Sequence, residues 1–432
     1  MSHSTPLAKR IRAAGFTTAG MEHGEQPFIS PGSTAFIAPP LDTIPSPHGN
    51  AIYTIVEEYA ARYPEPCIVI AAWPAQGKPA ECAISPIVYY CRQPFRKIPF
   101  EDSIPHRMKR ALWGTGRPAM LHYIRQAAEL CRLLQIHTVI IEDIPTYAWE
   151  MRRMLGKEAT IVLHQHANAP RHYARAWWKR IESSLDGAAF VADATRKETE
   201  AWHGKLAIPN LVAYNGVDLD FYAPDRWQTQ ARHYRDQYQI GAEETVLLYV
   251  GRMIPGKGPL EAAQAFQMAR IPQTRLVLVG ALSGVLFQDD AYIGKLRQFA
   301  DESQGRIILA GPKPQTEIPA FYAMADAVIV PSLQAEGLPK VVTEALAMGK
   351  PVIATDQGGV LELVKPGTNG WILDDPQDLG RTKIQLQEAL ASRDQLKTMS
   401  DQILSTDRPA LSLQASLATF YRFVHSIPRR TG

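Results

Sequence analysis

Cysteine is scarce in this 432-residue chain: Cys67, Cys82, Cys91 and Cys131 are the four present, and no spacing among them suits a metal site. So few thiols exclude a disulfide-built scaffold and fit a reducing compartment. Long apolar runs are missing as well, since none approaches the roughly 18 residues that a membrane-spanning helix needs. The stretch MSHSTPLAKRIRAAGFTTAGMEHGEQPF has positive charge but no apolar block behind it, which argues against a secretory signal. Neither sign of charge dominates, with 46 Lys/Arg against 43 Asp/Glu. With so modest an excess and no visible stacking module, nucleic acid is not an expected partner. Together these absences predict a cytoplasmic protein.

What is present is a large apolar fraction, 46% of residues, in a chain long enough for two cores. The charge is unevenly placed. Residues 1–217 hold 24 Lys/Arg against 19 Asp/Glu, and ten of the twelve histidines. Much of that basic charge lies in CRQPFRKIPFEDSIPHRMKRALWGTGR, interleaved with Phe, Trp and Met. The stretch reads either as a solvated surface or as a contact for an anionic membrane or a phosphate-linked substrate.

Short β-branched runs alternate with amphipathic segments. STAFIAPP, CIVIAAWP, HTVIIEDIP, ATIVLHQH and GAAFVADA read as buried strands, and AIYTIVEEYAARYP and AMLHYIRQAAELCRLL as helices between them. After LVAYNGVDLDFYAP the pattern restarts with TVLLYVG, TRLVLVG, RIILAGP, AVIVPS, PVIATD and GWIL. Repeated βα units predict parallel sheets with helices on both faces. The expected division is residues 1–217, residues 218–408, and a terminal helix in 409–432 that packs across either domain. The expected hinge lies near residues 215–224.

Two stretches carry candidate chemistry. VGRMIPGKGPLEAA follows a strand and precedes a helix, a placement that suits a phosphate-binding turn. Gly251, Gly256 and Lys257 fit the P-loop spacing, but Gly258 stands where that motif needs a hydroxyl for Mg²⁺. What remains is a turn with Arg252 and Lys257, two cations that can neutralise a diphosphate without a metal. In VPSLQAEGLPKVVTEALAMGKPVIATDQGGVLEL, Glu336 precedes a helix and Glu344 lies inside it. Paired carboxylates at the ends of a doubly wound sheet can grip two hydroxylated groups, or can simply stabilise a helix start.

The order GR…GKG, LAGPKP, PSLQAEGLPKVVTEALAMGKPVIATDQGGVLELV and NGWIL resembles the retaining glycosyltransferases of family 4, whose hallmark is a Glu-x7-Glu pair. The linker NGVDLDFYAP is similar too, and the match covers residues 210–375. The resemblance implies the α/β GT-B fold, two doubly wound Rossmann-like domains facing each other across a cleft. It implies a UDP- or GDP-sugar donor, a sugar or lipid-linked acceptor, and no essential metal.

By that resemblance the strand-end turn at Gly251, with Arg252 and Lys257, binds the donor diphosphate, assisted by the main-chain N–H groups of Gly337 and Leu338. Glu344 holds the ribose and Glu336 the hydroxyls of the transferred sugar. Pro312 and Lys313 lie by the base. SPHGNAIYTIVEEYA resembles the Gly-rich turn of the first domain, with Gly49 and Asn50 where two glycines are usual. TIVLHQHANAP resembles the strand end from which a histidine faces the donor sugar, and His166 fits that place better than His164. The resemblance makes His166, Glu336, Arg252 and Lys257 the catalytic set, while the basic first domain points to cell-surface polysaccharide or glycolipid synthesis, with peripheral contact at the inner face of the membrane as the accompanying expectation.

Other readings stay open: a nucleotide-sugar epimerase, a non-catalytic nucleotide-sugar-binding module, and a P-loop triphosphatase. Three further signals are set aside. Asp218-Leu-Asp220 reads as turn chemistry. The His-x-His pair lacks a third metal ligand in register. Trp177 and Trp178 read as helix core with a basic outer face, or as acceptor contacts.

Overall fold

The computed structural model describes residues 16–18, 33–40, 51–72, 87–91, 118–167, 173–281 and 290–430. The chain forms two compact units whose boundaries fall after Ala213 and after Ser416. Tyr214–Val217, expected in the first domain, belong to the second unit for a local reason. Val217 N–H donates to the Leu411 carbonyl at 2.8 Å, and Leu413 N–H donates back to the Val217 carbonyl at 2.9 Å.

The second unit holds six parallel strands: β9 (Thr245–Val250), β10 (Thr274–Val279), β11 (Ile307–Gly311), β12 (Ala327–Val330), β13 (Val352–Thr355) and β14 (Gly370–Leu373). Their spatial order is β11-β10-β9-β12-β13-β14, so the winding reverses between β9 and β12. Ligands bind at such a switch point, outside the carboxyl ends of the strands. Alternation explains why these runs are apolar throughout. Val246, Leu248, Val277 and Val279 enter one core, while Leu247, Tyr249, Leu276 and Leu278 enter the core on the opposite face. Asp218, in the turn that leads into this unit, accepts from Asp220 N–H and Phe221 N–H at 3.1 Å each, as a turn-forming Asp does.

The first unit is built likewise, from β1 (Phe16–Thr18), β2 (Thr34–Ile37), β3 (Cys67–Ala72), β4 (Ile87–Cys91), β5 (Thr138–Glu142), β6 (Thr160–Gln165), β7 (Gly187–Phe190) and β8 (Asn210–Val212). The order is β1-β4-β3-β2-β5-β6-β7-β8, parallel except for β1 against β4. Here the reversal falls between β2 and β5. One face packs Ile37, Ile70, Ile141 and Leu163 beneath the helices Pro118–Leu133 and Tyr147–Leu155.

The helix Leu413–Ser426 starts in the second unit, and from Leu417 it belongs to the first. Phe420 is fully buried, with its ring 5.6 Å from Tyr59 and 4.6 Å from His164. Tyr421 donates to Glu65 at 2.8 Å, and Arg430 pairs with Asp186 at 2.5 Å.

The paired tryptophans divide. Trp178 is buried and stacks on His203 at 4.9 Å, whereas Trp177 is exposed and meets Trp149 edge-on at 6.5 Å. The helix Arg175–Glu182 has one buried face, and only one of two consecutive residues can lie on it.

Candidate active site

The turn after β9 closes on itself. Lys257 N–H donates to the Ile254 carbonyl and Gly258 N–H to the Pro255 carbonyl, both at 3.0 Å. Leu260 N–H, in the first turn of the helix Pro259–Ala269, donates to the Tyr292 hydroxyl at 3.2 Å. A P-loop instead turns such N–H groups toward phosphate. Gly258 has φ +71°, and a Cβ there would lie 2.1 Å from the Pro331 carbonyl oxygen. The position therefore excludes the Ser or Thr of a P-loop on steric grounds. Restoring that consensus with Gly258→Ser is expected to destabilise the protein by on the order of 3 kcal/mol in urea unfolding and to create no ATP hydrolysis.

The loop after β12 brings Glu336 to this turn. Lys257 Nζ lies 2.5 Å from one Glu336 oxygen, and the Ser332 hydroxyl donates to the other. Both charged side chains are largely buried, with 24% and 15% exposure. Leu333 N–H donates to the Gly256 carbonyl at 3.0 Å, so the two loops at the switch point are joined through main chain as well. From behind, Gly359 N–H donates to the Gly337 carbonyl at 2.6 Å, and the Thr355 hydroxyl donates to the Ser332 carbonyl at 2.7 Å. The main chain of Gly337 and Leu338 thus belongs to a braced loop that leads into the helix Lys340–Ala347.

Glu344 lies within that helix, buried, and accepts from the Tyr322 hydroxyl at 2.8 Å. Burial, and next the Glu344 charge, push the Tyr322 phenol well up, so it stays a donor. Lys340, also buried, places its ammonium 4.0 Å from Glu344. Arg252 is exposed beside Gly251. Lys313 lies over the rings of Phe321 and Tyr234, at 5.7 and 5.9 Å, and Pro312 beside it is exposed. Sequence reasoning had not singled out Ser332, Tyr322 or Lys340. The Ser at the end of AVIVPS was its one available signal.

In the first unit, Glu142 ends β5 directly beside His164 of β6, a pairing set by the parallel register. His166 lies two residues further on, on the same face. Its Nε2 is 2.6 Å from Glu142 Oε2, and His164 Nδ1 is 3.0 Å from the same oxygen. The expectation that the His-x-His pair has no third ligand in register is therefore corrected: Glu142 completes a buried group of metal-ligand type. The spacing within it is that of hydrogen bonds. Donor atoms on one tetrahedral zinc, each about 2.1 Å from the ion, lie about 3.4 Å apart.

Asp143, at φ +59°, holds the following turn. Its Oδ1 accepts from His166 N–H at 3.0 Å, Ala167 N–H at 2.9 Å and Gln165 Nε2 at 2.7 Å. The acidic pair at the end of HTVIIEDIP was the legible sign. Gly49 and Asn50 lie outside the described residues, as do residues 92–117 of the basic stretch.

The cluster gives stability a pH dependence. Burial pushes the Glu142 carboxyl up, but ion pairing and hydrogen bonds from His164 and His166 outweigh it and hold it well below the usual carboxylate range. Burial, then the neighbouring charge of His164, lowers the His166 imidazole below its ordinary 6.5. In both cases the unfolded chain binds more protons than the folded one. The contribution is present above about pH 6.5 and is lost as pH falls, first through the histidine range and then through the carboxylate range. The melting temperature is expected to fall from pH 7 to pH 4, with a shallower slope between pH 7 and 5 in His166→Gln.

Residues 230–403 match the family model described as "Glycosyl transferases group 1". The chain is 36% identical over 163 residues to the lipopolysaccharide 1,2-N-acetylglucosaminetransferase of Salmonella typhimurium, covering 37% of this chain and 43% of that protein. It is 34% identical over 263 residues to a putative glycosyltransferase, YtcC, of Bacillus subtilis, covering 59% and 63%. It is 32% identical over 212 residues to a GDP-mannose-dependent phosphatidylinositol monomannoside mannosyltransferase of Mycolicibacterium smegmatis, covering 46% and 52%. The chain thus spans between 43% and 63% of the length of these relatives.

Among solved structures, sucrose-phosphate synthase from Thermosynechococcus elongatus aligns with a TM-score of 0.70 at 18% identity, covering 91% of this chain and 98% of that one. The Anabaena protein HepE in complex with UDP aligns at 0.67 and 17% identity, covering 91% and 100%. The two parallel-sheet units are accordingly of the GT-B fold class. Residues 230–403, which contain the whole second sheet and the Lys257–Glu336 pair, are the part of the chain that resembles glycosyl transferases group 1.

Proposed function

We propose that the protein is a retaining, metal-independent glycosyltransferase of family 4 that uses a nucleotide-diphosphate sugar, a UDP- or GDP-sugar. The observation that carries this reading is the Lys257–Glu336 pair at the switch point between β9 and β12. Without a donor, each group neutralises the other. A bound diphosphate would take over the Lys257 ammonium, together with Arg252, the Gly251 turn and the N–H groups of Gly337 and Leu338. Glu336, released, would accept hydrogen bonds from hydroxyls of the transferred sugar. Glu344 takes the ribose, Lys313 the side of the base, and His166 of the first unit a sugar hydroxyl. Gly49 and Asn50 complete the donor contacts in this assignment.

In the reaction the acceptor oxygen bonds to the anomeric carbon as the bond from that carbon to the phosphate oxygen breaks. The acceptor's hydroxyl proton passes to the leaving phosphate on the same face of the sugar. Negative charge grows on the diphosphate, where the cations and main-chain N–H groups stabilise it. The acceptor is a sugar or a lipid-linked intermediate of cell-surface polysaccharide or glycolipid synthesis. The enzyme would then work in the cytoplasm, with its basic first unit at the inner face of the membrane. No helix among the described residues is long and apolar enough to cross that membrane.

Calorimetry with UDP, GDP and ADP in EDTA tests the donor site. Tight binding of one diphosphate without metal is the expected result. Binding restored only by Mg²⁺ and a triphosphate would overturn it. Turnover of the sugar donor with no acceptor present would mark an epimerase instead.

A further inference from the structure

Two acidic residues converge on His166 and nothing above gives them a role in the reaction. Glu142 closes β5, the strand at which the order of the first sheet reverses, so it stands where a ligand site is expected in this unit. Its carboxylate lies 2.6 Å from His166 Nε2. An ionised carboxylate accepts hydrogen bonds and donates none, so Nε2 is the nitrogen that bears the proton. In a neutral ring the other nitrogen, Nδ1, then carries a lone pair. That atom is buried and, among the described residues, has no hydrogen-bond partner. An orphaned buried acceptor calls for a cause, and at a sheet's switch point a ligand group that completes it is a physical one.

We propose that Glu142 and Asp143 are positioning residues that present His166 as its Nε2–H tautomer, keeping Nδ1 as a bare acceptor for a hydroxyl of the sugar substrate. The two acids divide the work. Asp143 fixes the main chain by accepting from the N–H groups of His166 and Ala167. Glu142 fixes the ring. His164 packs its ring 4.2 Å from that of His166 and is itself held between Tyr59 and Phe420. Its Nδ1 lies against the same Glu142 oxygen and keeps the carboxylate turned toward both rings. The inference rests on the proposed glycosyl transfer for the identity of the hydroxyl, and not for the tautomer.

The test uses full-length protein carrying ¹⁵N-histidine, with long-range ¹H–¹⁵N correlation at pH 7.5. The expected spectrum shows His166 with a proton-bearing Nε2 and a bare Nδ1. Glu142→Gln keeps an acceptor oxygen and should retain that pattern, while Glu142→Leu should give a mixture of tautomers. The kcat of Glu142→Leu should fall at least tenfold, with the affinity for the nucleoside diphosphate unchanged within twofold and with partial recovery in Glu142→Gln. A wild-type tautomer in Glu142→Leu would overturn the proposal. So would binding of one equivalent of Zn²⁺ with loss of the Nε2 proton signal, which would make the cluster a metal centre. Should the wild type bind no nucleoside diphosphate while the tautomer pattern holds, the proposed transfer reaction fails and the positioning of His166 stands.

Discussion

Lys257→Ala is expected to slow sugar transfer by about 10²–10³, the usual consequence of removing one group aimed at charge that develops in the transition state. Glu336→Ala should be as damaging for a different reason, since it removes the acceptor for the sugar's hydroxyls. Steady-state kinetics with the preferred donor would separate the two, because the lysine variant should also lose affinity for the bare nucleoside diphosphate. Stability should behave differently from activity. The pair is mostly buried, so Lys257→Ala strands a carboxylate that, among the described residues, keeps only the Ser332 hydroxyl. The double variant removes both charges and should regain stability that the single variant loses, with no recovery of transfer. Near-normal activity in both single variants would remove these residues from the site.

Gly358→Ala is expected to be nearly as severe although the residue carries no functional group. Its φ is +64°, and a Cβ would stand 1.7 Å from the Glu336 carbonyl oxygen and 2.6 Å from that of Gly337. The added carbon therefore meets main chain, which cannot swing aside as a flexible side chain would. The loop that carries Glu336 and the N–H groups of Gly337 and Leu338 must move instead. A loss on the order of 3 kcal/mol is expected from strain and displacement together, with diphosphate affinity reduced at least tenfold. Urea unfolding and calorimetry on one preparation would show both. An unchanged urea midpoint would mean that the loop is not braced at Gly358.

The second sheet was legible because its four inner strands are buried on two faces and so read as short apolar runs, while the half-buried edge strands β11 and β14 stay apolar enough to follow suit. STAFIAPP and CIVIAAWP were legible for the same reason. The sequence left β1, β4 and β8 unnamed, and two of those are three-residue strands at or near a sheet edge. They have too few residues to show an alternation.

At the candidate site, residue types and motif order were readable but partners were not. Lys257 and Glu336 are 79 positions apart, and only the return of the chain from β12 to the side of β9 brings them within 2.5 Å. Glu142 was passed over because its closeness to the two histidines depends on the pairing of β5 with β6. The glycine at position 258, where the P-loop pattern needs a hydroxyl, has a cause that no motif contains, the Pro331 carbonyl beside it.

The terminal helix has a consequence for how the protein is made. Phe420 packs on His164 and Tyr59, the Ile427 side chain lies against Gly187, and Arg430 pairs with Asp186. All of these partners leave the ribosome well before residues 214–416 have been synthesised. A domain at the start of a chain ordinarily folds first during synthesis. In this protein the second unit is complete in sequence before the first has its last packing element. The nascent first unit is therefore expected to lack the cover over β6 and β7 until residues 417–430 have been translated.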